Sequence, residues 1–353
     1  MKKFLSILMA VTMMATVLAG CGAKEEEKPA ASAPAASAPA ASAPAASAPA
    51  AAAETDTNTV AIGAVVLARD DISEDEIYTF VSTIFENTEA ITGQHAKGAE
   101  LSLEYAASMT SVPYHPGAAK YFKEKGIEVA AVKEGAGTGA ARGNLTFGTG
   151  GESGTYYAFG GVLGAYVSNN TDLSITTVTS GGSAVNIDDM VADNVQIAFC
   201  QSDVMAYAYD GQRLFDGAAI KDFSVVASLY MEAVQIVTND PEIKTVADLA
   251  GKKVSVGAAG SGTYFNAIDA LTAYGLAESD IEPVYQSFGD STESLKDGKI
   301  DAAFVVAGAP TTSIVDLATA TDVYLVNIDG AECDAMLAAS PYYSTYVIPA
   351  GTY

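Results

Sequence analysis

Basic residues are scarce in this chain. Eighteen Lys and Arg stand against 43 Asp and Glu, for a formal charge of −25 at pH 7, and the only arginines are Arg69, Arg142 and Arg213. Nucleic-acid binding needs clustered Lys and Arg, so that function class is excluded. Anionic lipid repels the same surface, so any membrane attachment has to come from something other than charge. Histidine is scarcer still, with only His95 and His115, neither near a candidate nucleophile in sequence. His115, between Tyr114 and Pro116, reads as a turn residue or helix cap rather than a base. No metal-ligand cluster and no cofactor motif is present. Gly151-Glu-Ser153-Gly154-Thr155 lacks the last glycine of a nucleophile elbow. Gly148-Thr-Gly150-Gly-Glu-Ser153 lacks the last glycine of a dinucleotide fingerprint, and no P-loop occurs. The expectation is a binding protein, not an enzyme. Of three cysteines, Cys21 belongs to the leader region, and Cys200 and Cys333 alone make no disulfide framework. Cys200 follows Ile197-Ala198-Phe199 and reads as a small buried hydrophobe.

What is present begins with an export signal. Met1-Lys2-Lys3 precedes an apolar run from Phe4 to Ala19, too short for a membrane span of about 20 residues. Leu18-Ala19-Gly20-Cys21 resembles the bacterial lipobox, in which the Cys21 thiol is lipidated and becomes the new N-terminus. Residues 1–20 are therefore expected to be a lipoprotein signal peptide. Residues 21–58 are expected to be an anchor and linker. Serines 32, 37, 42 and 47 mark a five-residue Ala/Ser/Pro period there. The unit holds no large apolar side chain, so stacked copies could bury no core. Extended, residues 29–53 reach about 75 Å at ~3.1 Å per residue.

Beyond the linker the chain alternates strands and helices, which predicts α/β architecture with largely parallel sheets. Val60–Leu67 reads as a buried strand. Ser73 and Glu76 read as a capping box, opening a helix whose Ile77, Phe80, Val81, Ile84 and Phe85 share a face. A second helix starts at Pro116 and stops before Gly126. Residues 129–143 read as a flexible Gly/Ala-rich connector. Strands are expected at 145–147, 174–178, 195–199, 223–229, 253–256, 300–306 and 322–326. Helices are expected at 155–166, 183–190, 263–273 and 310–317. The Ser-Gly-Thr-Tyr core of Gly148–Tyr157 recurs in Gly257–Phe265, and Gln196-Ile-Ala-Phe199 parallels Asp301-Ala-Ala-Phe304. Two similar lobes with a crevice between them follow, with the ligand beyond the carboxyl ends of the strands.

Four loops share one design, an apolar strand leading through small, glycine, hydroxyl or proline residues into a helix. They are Gly148–Tyr156, Thr179–Ser183, Gly260–Thr263 and Gly308–Pro310. Each presents backbone N–H groups at a helix N-terminus, where the dipole favours negative charge. With arginine so scarce, a bound carboxylate would be held mainly by N–H and hydroxyl groups. The candidate ligand-binding residues are Thr149, Ser153, Thr155, Tyr156, Ser180, Ser183, Asn186, Gln201, Tyr230, Ser261, Thr263 and Pro310.

Gly148-Thr-Gly-Gly-x-x-Gly-Thr-Tyr-Tyr157, Ser180-Gly-Gly-Ser-Ala-Val-Asn186, Gln201-Ser-Asp203, Leu229-Tyr230 with Val234–Val237, Asp248–Val254, Gly260-Ser-Gly-Thr263 and Gly308-Ala-Pro310 form a series. Together they resemble the TAXI-type receptors of TRAP transporters over residues 145–353. The resemblance implies a two-lobed, periplasmic-binding-protein-like (type II) α/β fold. It also implies membrane subunits of a TRAP transporter as partners, and glutamate or a related amino acid or dicarboxylate as the small anionic solute. The runner-up is a solute-sensing binding protein for a membrane receptor. Glu152 stands where the family often has a small or neutral residue. The order of segments departs from the family. A strand, capped helix and His-Pro-Gly-Ala helix normally follow a segment like Ile348–Tyr353, whereas here Thr59–Leu67 and His115–Tyr121 come first. The expectation is a circularly permuted chain. Residues 59–128 are then equivalent to the family's C-terminal part, 129–143 join the usual ends, 144–237 form lobe 1, and 238–353 form lobe 2 with the return segment. Localisation is expected to be extracytoplasmic, by a lipid anchor.

Overall fold

A computed structural model describes residues 55–353, so the signal, Cys21 and nearly all of the linker lie outside the described residues. Ten strands form one sheet: β1 Thr57–Arg69, β2 Asn144–Gly148, β3 Ser174–Val178, β4 Ile197–Gln201, β5 Phe223–Thr238, β6 Lys253–Ser255, β7 Glu282–Val284, β8 Ala302–Ala307, β9 Tyr324–Val326 and β10 Ser344–Ile348. The helices are α1 Glu74–Phe85, α2 Thr88–Thr92, α3 Leu103–Ala106, α4 Pro116–Glu124, α5 Thr155–Asn170, α6 Ser183–Val191, α7 Ser202–Asp210, α8 Gly262–Ala273, α9 Phe288–Lys296, α10 Thr312–Ala318 and α11 Gly330–Ala339.

The strand order β3-β2-β4-β1-β5-β8-β6-β7, with β10 beside β1 and β9 beside β5, contains the same pattern twice. In β3-β2-β4-β1-β5, three parallel strands meet antiparallel β1, and β5 again runs antiparallel to β1. In β7-β6-β8-β5-β9, three parallel strands meet antiparallel β5, and β9 again runs antiparallel to β5. The fold is α/β, in two lobes of like topology. β1 and β5 are the long strands that serve both lobes. β5 pairs with β1 from Phe223 to Ala233 and with β8 from Ala233 to Thr238. A lobe boundary at 237/238 therefore falls inside a continuous strand, and the crossing lies near Ala233.

Each lobe has its own core. In the first, Phe80 of α1 meets Phe147 of β2 edge-on at 5.9 Å, and Phe147 stacks on Phe199 of β4 at 5.1 Å. In the second, β8 alternates: Ala302, Phe304 and Val306 join one cluster, and Ala303, Val305 and Ala307 join another. That period of two is the pleat of a strand covered on both faces. Full burial of a side chain such as Phe304 stabilises by roughly 1.5–3 kcal/mol.

The segment ahead of the connector is built into the first lobe. Ser73 caps α1, its Oγ accepting from Glu76 N at 3.3 Å. Ile77, Phe80, Val81, Ile84 and Phe85 are buried on one face. α4 begins at Pro116 with His115 as its cap: Nδ1 accepts from Gly117 N at 3.2 Å and Nε2–H donates to Ile72 O at 3.1 Å. Burial lowers the His115 pKa to about 4, so the ring is neutral. Residues 129–143 contain no helix or strand, yet they are anchored. Tyr114 N donates to Ala131 O and Lys133 N to Tyr114 O, both at 2.8 Å, and Glu74 N donates to Gly137 O at 3.0 Å.

Several strands differ in extent from the sequence expectation. β1 and β5 are longer because mid-strand Glu232 and the flanking threonines are accommodated by pairing on both sides. The expected helix at Pro310 starts instead at Thr312, after its N-cap Thr311. No helix among the described residues is long and apolar enough to cross a membrane.

Candidate ligand-binding site

The loops after β2 and β3 are tied together by short side chains. Thr149 Oγ1 donates to Val178 O at 2.6 Å, and Ser180 Oγ donates to Thr149 O at 3.0 Å. Asn186, fully buried, donates to both Thr149 O and Phe199 O at 2.7 Å. Gly182 caps α6 with φ 105°, a conformation that disfavours a side chain. In the second lobe, Ser261 caps α8 by accepting from Tyr264 N at 3.3 Å, and Ser287 caps α9 by accepting from Asp290 N at 3.2 Å.

These loops converge on a cavity of about 140 Å³ between the lobes. The first lobe supplies the N-terminal ends of α5 (Gly154, Thr155, Tyr156) and α6 (Gly182, Ser183), with Gln201 at the start of α7. The second supplies those of α8 (Ser261, Gly262, Thr263) and α9 (Ser287, Phe288), with Val306 and Ala307 from the end of β8. The positive ends of helix dipoles thus point into one space, which favours an anionic group. Among the described residues no Lys, Arg or His lines it.

The lobes touch across this cavity. Gly260 O accepts from Ala184 N at 3.1 Å and from Val185 N at 3.4 Å. Thr155 Oγ1 donates to Gly308 O at 3.1 Å, and Ser313 N donates to Ser153 O at 3.3 Å. Behind it, Arg213 pairs with Asp269 at 2.7 Å, and Asn266 donates to Asp203 Oδ2 at 3.0 Å and to Tyr343 Oη at 2.7 Å.

A family model, that of the NMT1-like family, matches residues 25–126 and 147–353. The chain belongs to the NMT1-like family. Among solved structures, this NMT1-like chain is similar to the periplasmic aliphatic sulphonate binding protein SsuA from Escherichia coli, at 21% identity and a TM-score of 0.34, over 52% of this chain and 60% of that one. It is also similar to holo ArgBP from T. maritima, at 16% identity and a TM-score of 0.37, over 57% of this chain and 93% of that one. A third is AbpA of Streptococcus pneumoniae, a substrate-binding protein of an amino acid ABC transporter, at 14% identity and a TM-score of 0.37, over 54% and 77%. The chain spans less than two thirds of the length of the sulphonate-binding protein.

Of the residues singled out in the sequence of this NMT1-like protein, Thr155, Tyr156, Ser180, Ser183, Gln201, Ser261 and Thr263 line the cavity. Thr149 and Asn186 do not; they brace the loops beneath it. Ser153 does not line it either, but its carbonyl joins the lobes. Tyr230 is buried behind the wall, its ring 5.8 Å from that of Phe159. Pro310 is outside the wall, where its loop contributes the Gly308 carbonyl instead. The cavity also contains residues that sequence reasoning passed over. Ser287 and Phe288 were detectable, because Ser287 with Asp290 three positions on is an N-cap signature. Glu232 was detectable as a lone acid in an otherwise apolar stretch.

Glu232 is 2% exposed, and its Oε2 accepts the Tyr156 hydroxyl at 2.6 Å. Burial pushes its carboxyl up to about 8, opposed by the Tyr156 hydrogen bond and the Lys97 charge. The same burial, with Glu232 beside it, holds the Tyr156 hydroxyl well above its ordinary value. Gln201 Oε1 is buried without a hydrogen-bond partner. Neither histidine lines the cavity: His95 lies against Phe159 at 5.1 Å and His115 caps α4. Among the described residues no group of His, Cys, Asp and Glu is arranged to hold a metal.

Proposed function

We propose that this chain is the extracytoplasmic, lipid-anchored receptor of a TRAP-type transporter, binding glutamate or a related amino acid or dicarboxylate between its lobes and delivering it to the membrane subunits. One observation carries the reading: helix N-termini from both lobes, dressed with Ser and Thr hydroxyls and free of basic side chains, surround a small interlobe cavity. Such a site holds a carboxylate by preorganised N–H and O–H donors, and ligand bridging both lobes favours the closed form that a transporter can recognise. Seven of the proposed contact residues line that cavity: Thr155, Tyr156, Ser180, Ser183, Gln201, Ser261 and Thr263. Thr149, Ser153, Asn186, Tyr230 and Pro310 support it from the adjoining loops and wall. Cys21 provides the anchor, compensating for a surface that anionic lipid repels.

The order of segments is read as a circular permutation. Supporting it, β10 pairs with the start of β1, and the family match is interrupted between residues 126 and 147, where the connector lies.

A thermal-shift screen with amino acids and dicarboxylates tests the binding reading. A ligand at 100 times its Kd stabilises the native state by about 2.7 kcal/mol, a clear rise in midpoint. No shift with any small carboxylate would refute it.

A further inference from the structure

The cavity combines anion-attracting helix ends with a single carboxyl in its wall, and these two features ask for opposite charges. Glu232 Oε2 is committed to the Tyr156 hydroxyl, which leaves Oε1 for a ligand. No cation in the wall neutralises it. Lys97, on the turn Ala96–Glu100, is the cation whose charge acts on it, but it does not line the cavity, is paired with Glu100 and lies 5.5 Å from the centroid of the Tyr230 ring. Gln201 Oε1, also in the wall, is a second buried acceptor without a donor. Two acceptors awaiting donors, in one cavity with helix ends awaiting a carboxylate, describe a zwitterion.

We propose that Glu232 is the ammonium-recognition group of this cavity, so that the site takes α-amino acids and discriminates against the 2-oxo acids that carry a carbonyl in place of the amino group. The inference rests on the solute-receptor reading and narrows its ligand class. A 2-oxo acid can take the one hydrogen of protonated Glu232 but brings no donor for Gln201 Oε1, whereas an ammonium supplies hydrogens to both acceptors. Such mismatches cost far more than a lost contact, because buried polar groups stay unpaired.

The proposal also fixes a proton. The groups acting on Glu232 are Tyr156 from α5, Tyr230 from its own strand, Tyr105 from α3, Cys200 from β4, Asp203 from α7 and Lys97. With its carboxyl pushed up to about 8, empty Glu232 is mostly protonated at pH 7. An incoming ammonium stabilises the carboxylate, so Glu232 gives its proton to solvent as the ligand binds.

The test is titration calorimetry on the whole protein with matched pairs: L-glutamate and 2-oxoglutarate, L-leucine and 4-methyl-2-oxopentanoate, L-alanine and pyruvate. Each is measured at pH 7 in phosphate and in Tris, whose ionisation enthalpies differ. In the pair that binds, the amino acid is expected to bind at least tenfold more tightly and to release close to one proton, a release that fades above pH 8–9. Glu232→Gln should abolish the proton release and shrink the preference severalfold, while its unliganded thermal midpoint reports whether it is folded. If that variant fails to fold, the wild-type proton count decides alone. Equal or tighter binding of the 2-oxo acid, or amino-acid binding without proton release, overturns the proposal while leaving a carboxylate receptor standing. Failure of every pair, together with no response to simple dicarboxylates, removes the receptor reading itself and the proposal with it.

Discussion

The carboxylate of Glu76 accepts the backbone N–H of Gly143 at 2.8 Å across 67 residues of sequence. The same oxygen accepts Arg142 N at 2.7 Å, and the other accepts the Ser73 hydroxyl at 2.6 Å. Glu76 is 6% exposed. One side chain thus secures the first turn of α1 and the end of the connector just before β2. A Glu at this position of a capping box ordinarily reaches back to the cap residue's own N–H. Here it serves the returning chain.

Glu76→Ala should therefore destabilise the protein by about 1–2 kcal/mol, since it removes the acceptor of two part-buried backbone donors and of the Ser73 hydroxyl. Glu76→Gln should cost less, because its amide oxygen still accepts. Urea unfolding of both variants measures this. An alanine variant with an unchanged midpoint would mean the connector contributes nothing to stability.

Thr263 is 2% exposed and lines the cavity at the start of α8. Thr263→Val keeps its shape and removes its hydroxyl. If a carboxylate is held there, binding should weaken by roughly 1–3 kcal/mol with little change in unliganded stability. Gly262 tests closure instead. A methyl group there would overlap the Gln201 amide of the opposite lobe and come within 3.0 Å of Ser183 Oγ. Gly262→Ala should leave each lobe folded and weaken ligand binding about tenfold by disfavouring the closed form. Small-angle scattering with and without ligand reads the closure directly. A variant that binds and compacts like the wild type would show that the closed form tolerates the methyl.

Asp203 gives the pH dependence a definite sign. Fully buried, it is pushed up to about 7, mainly by desolvation, against the opposing hydrogen bonds from Val204 N and Asn266. Unfolded, an Asp titrates near 3.9. Between about pH 4 and pH 7 the native state therefore holds a proton that the unfolded chain has released. Stability attributable to Asp203 falls as pH rises through that window and levels off above it, by on the order of 2–4 kcal/mol. Glu232 adds the same sign up to about pH 8. Asp203→Asn should flatten the profile, and its advantage over wild type should appear at pH 8 and vanish near pH 4–5. Urea midpoints across that range are the measurement. A wild-type midpoint that rises steadily from pH 5 to 8 would contradict the assignment.

Local signals carried much of the architecture. Ser73, Pro116 and the Ser-Gly-Thr loops identify helix starts because capping chemistry acts within a few residues. The cavity-lining hydroxyls were legible for the same reason. Asn186 and Tyr230 do not line the cavity, because sequence shows which residues share a loop or strand, not which way each points. Asn186 points to the carbonyls of Thr149 and Phe199. Glu232 lies on the same strand as Tyr230, two residues on, yet reaches the cavity while Tyr230 does not. β5 is expected from sequence over 223–229 alone because Met231 and Glu232 interrupt its apolar run. Pairing with β1 and β8, contributed from distant sequence, carries it on to Thr238.

The proposed permutation makes the last and strongest prediction. Asp56 Oδ1 accepts Ala350 N at 2.9 Å although the residues are 294 apart in sequence, and Thr57 pairs with Ile348. The described start of the chain and Tyr353 thus belong to one lobe. Tyr353 is held there, its hydroxyl accepting from Thr311 N at 3.0 Å and donating to Gln235. β1 lies between β4 and β5, so the segment ahead of the connector supplies the middle of the sheet. Deleting residues 59–125 would leave facing strands with unpaired N–H and C=O groups and strip α1 and α4 from the first lobe's core, so the remainder should not fold. Relinking should have the opposite outcome. A chain running from residue 129 to 353, through a short flexible linker, and on from 56 to 128 keeps the strand pairings and the connector's own hydrogen bonds, and only moves the break to the start of the connector. Permutation is tolerated where ends meet at the surface. The relinked protein should match the original within a few degrees in thermal midpoint and bind the same ligand. A stable, ligand-binding fragment of 145–353, or a relinked chain that cannot fold, would sink the permutation reading. A relinked chain that folds, beside a deletion that does not, is the pair of results it requires.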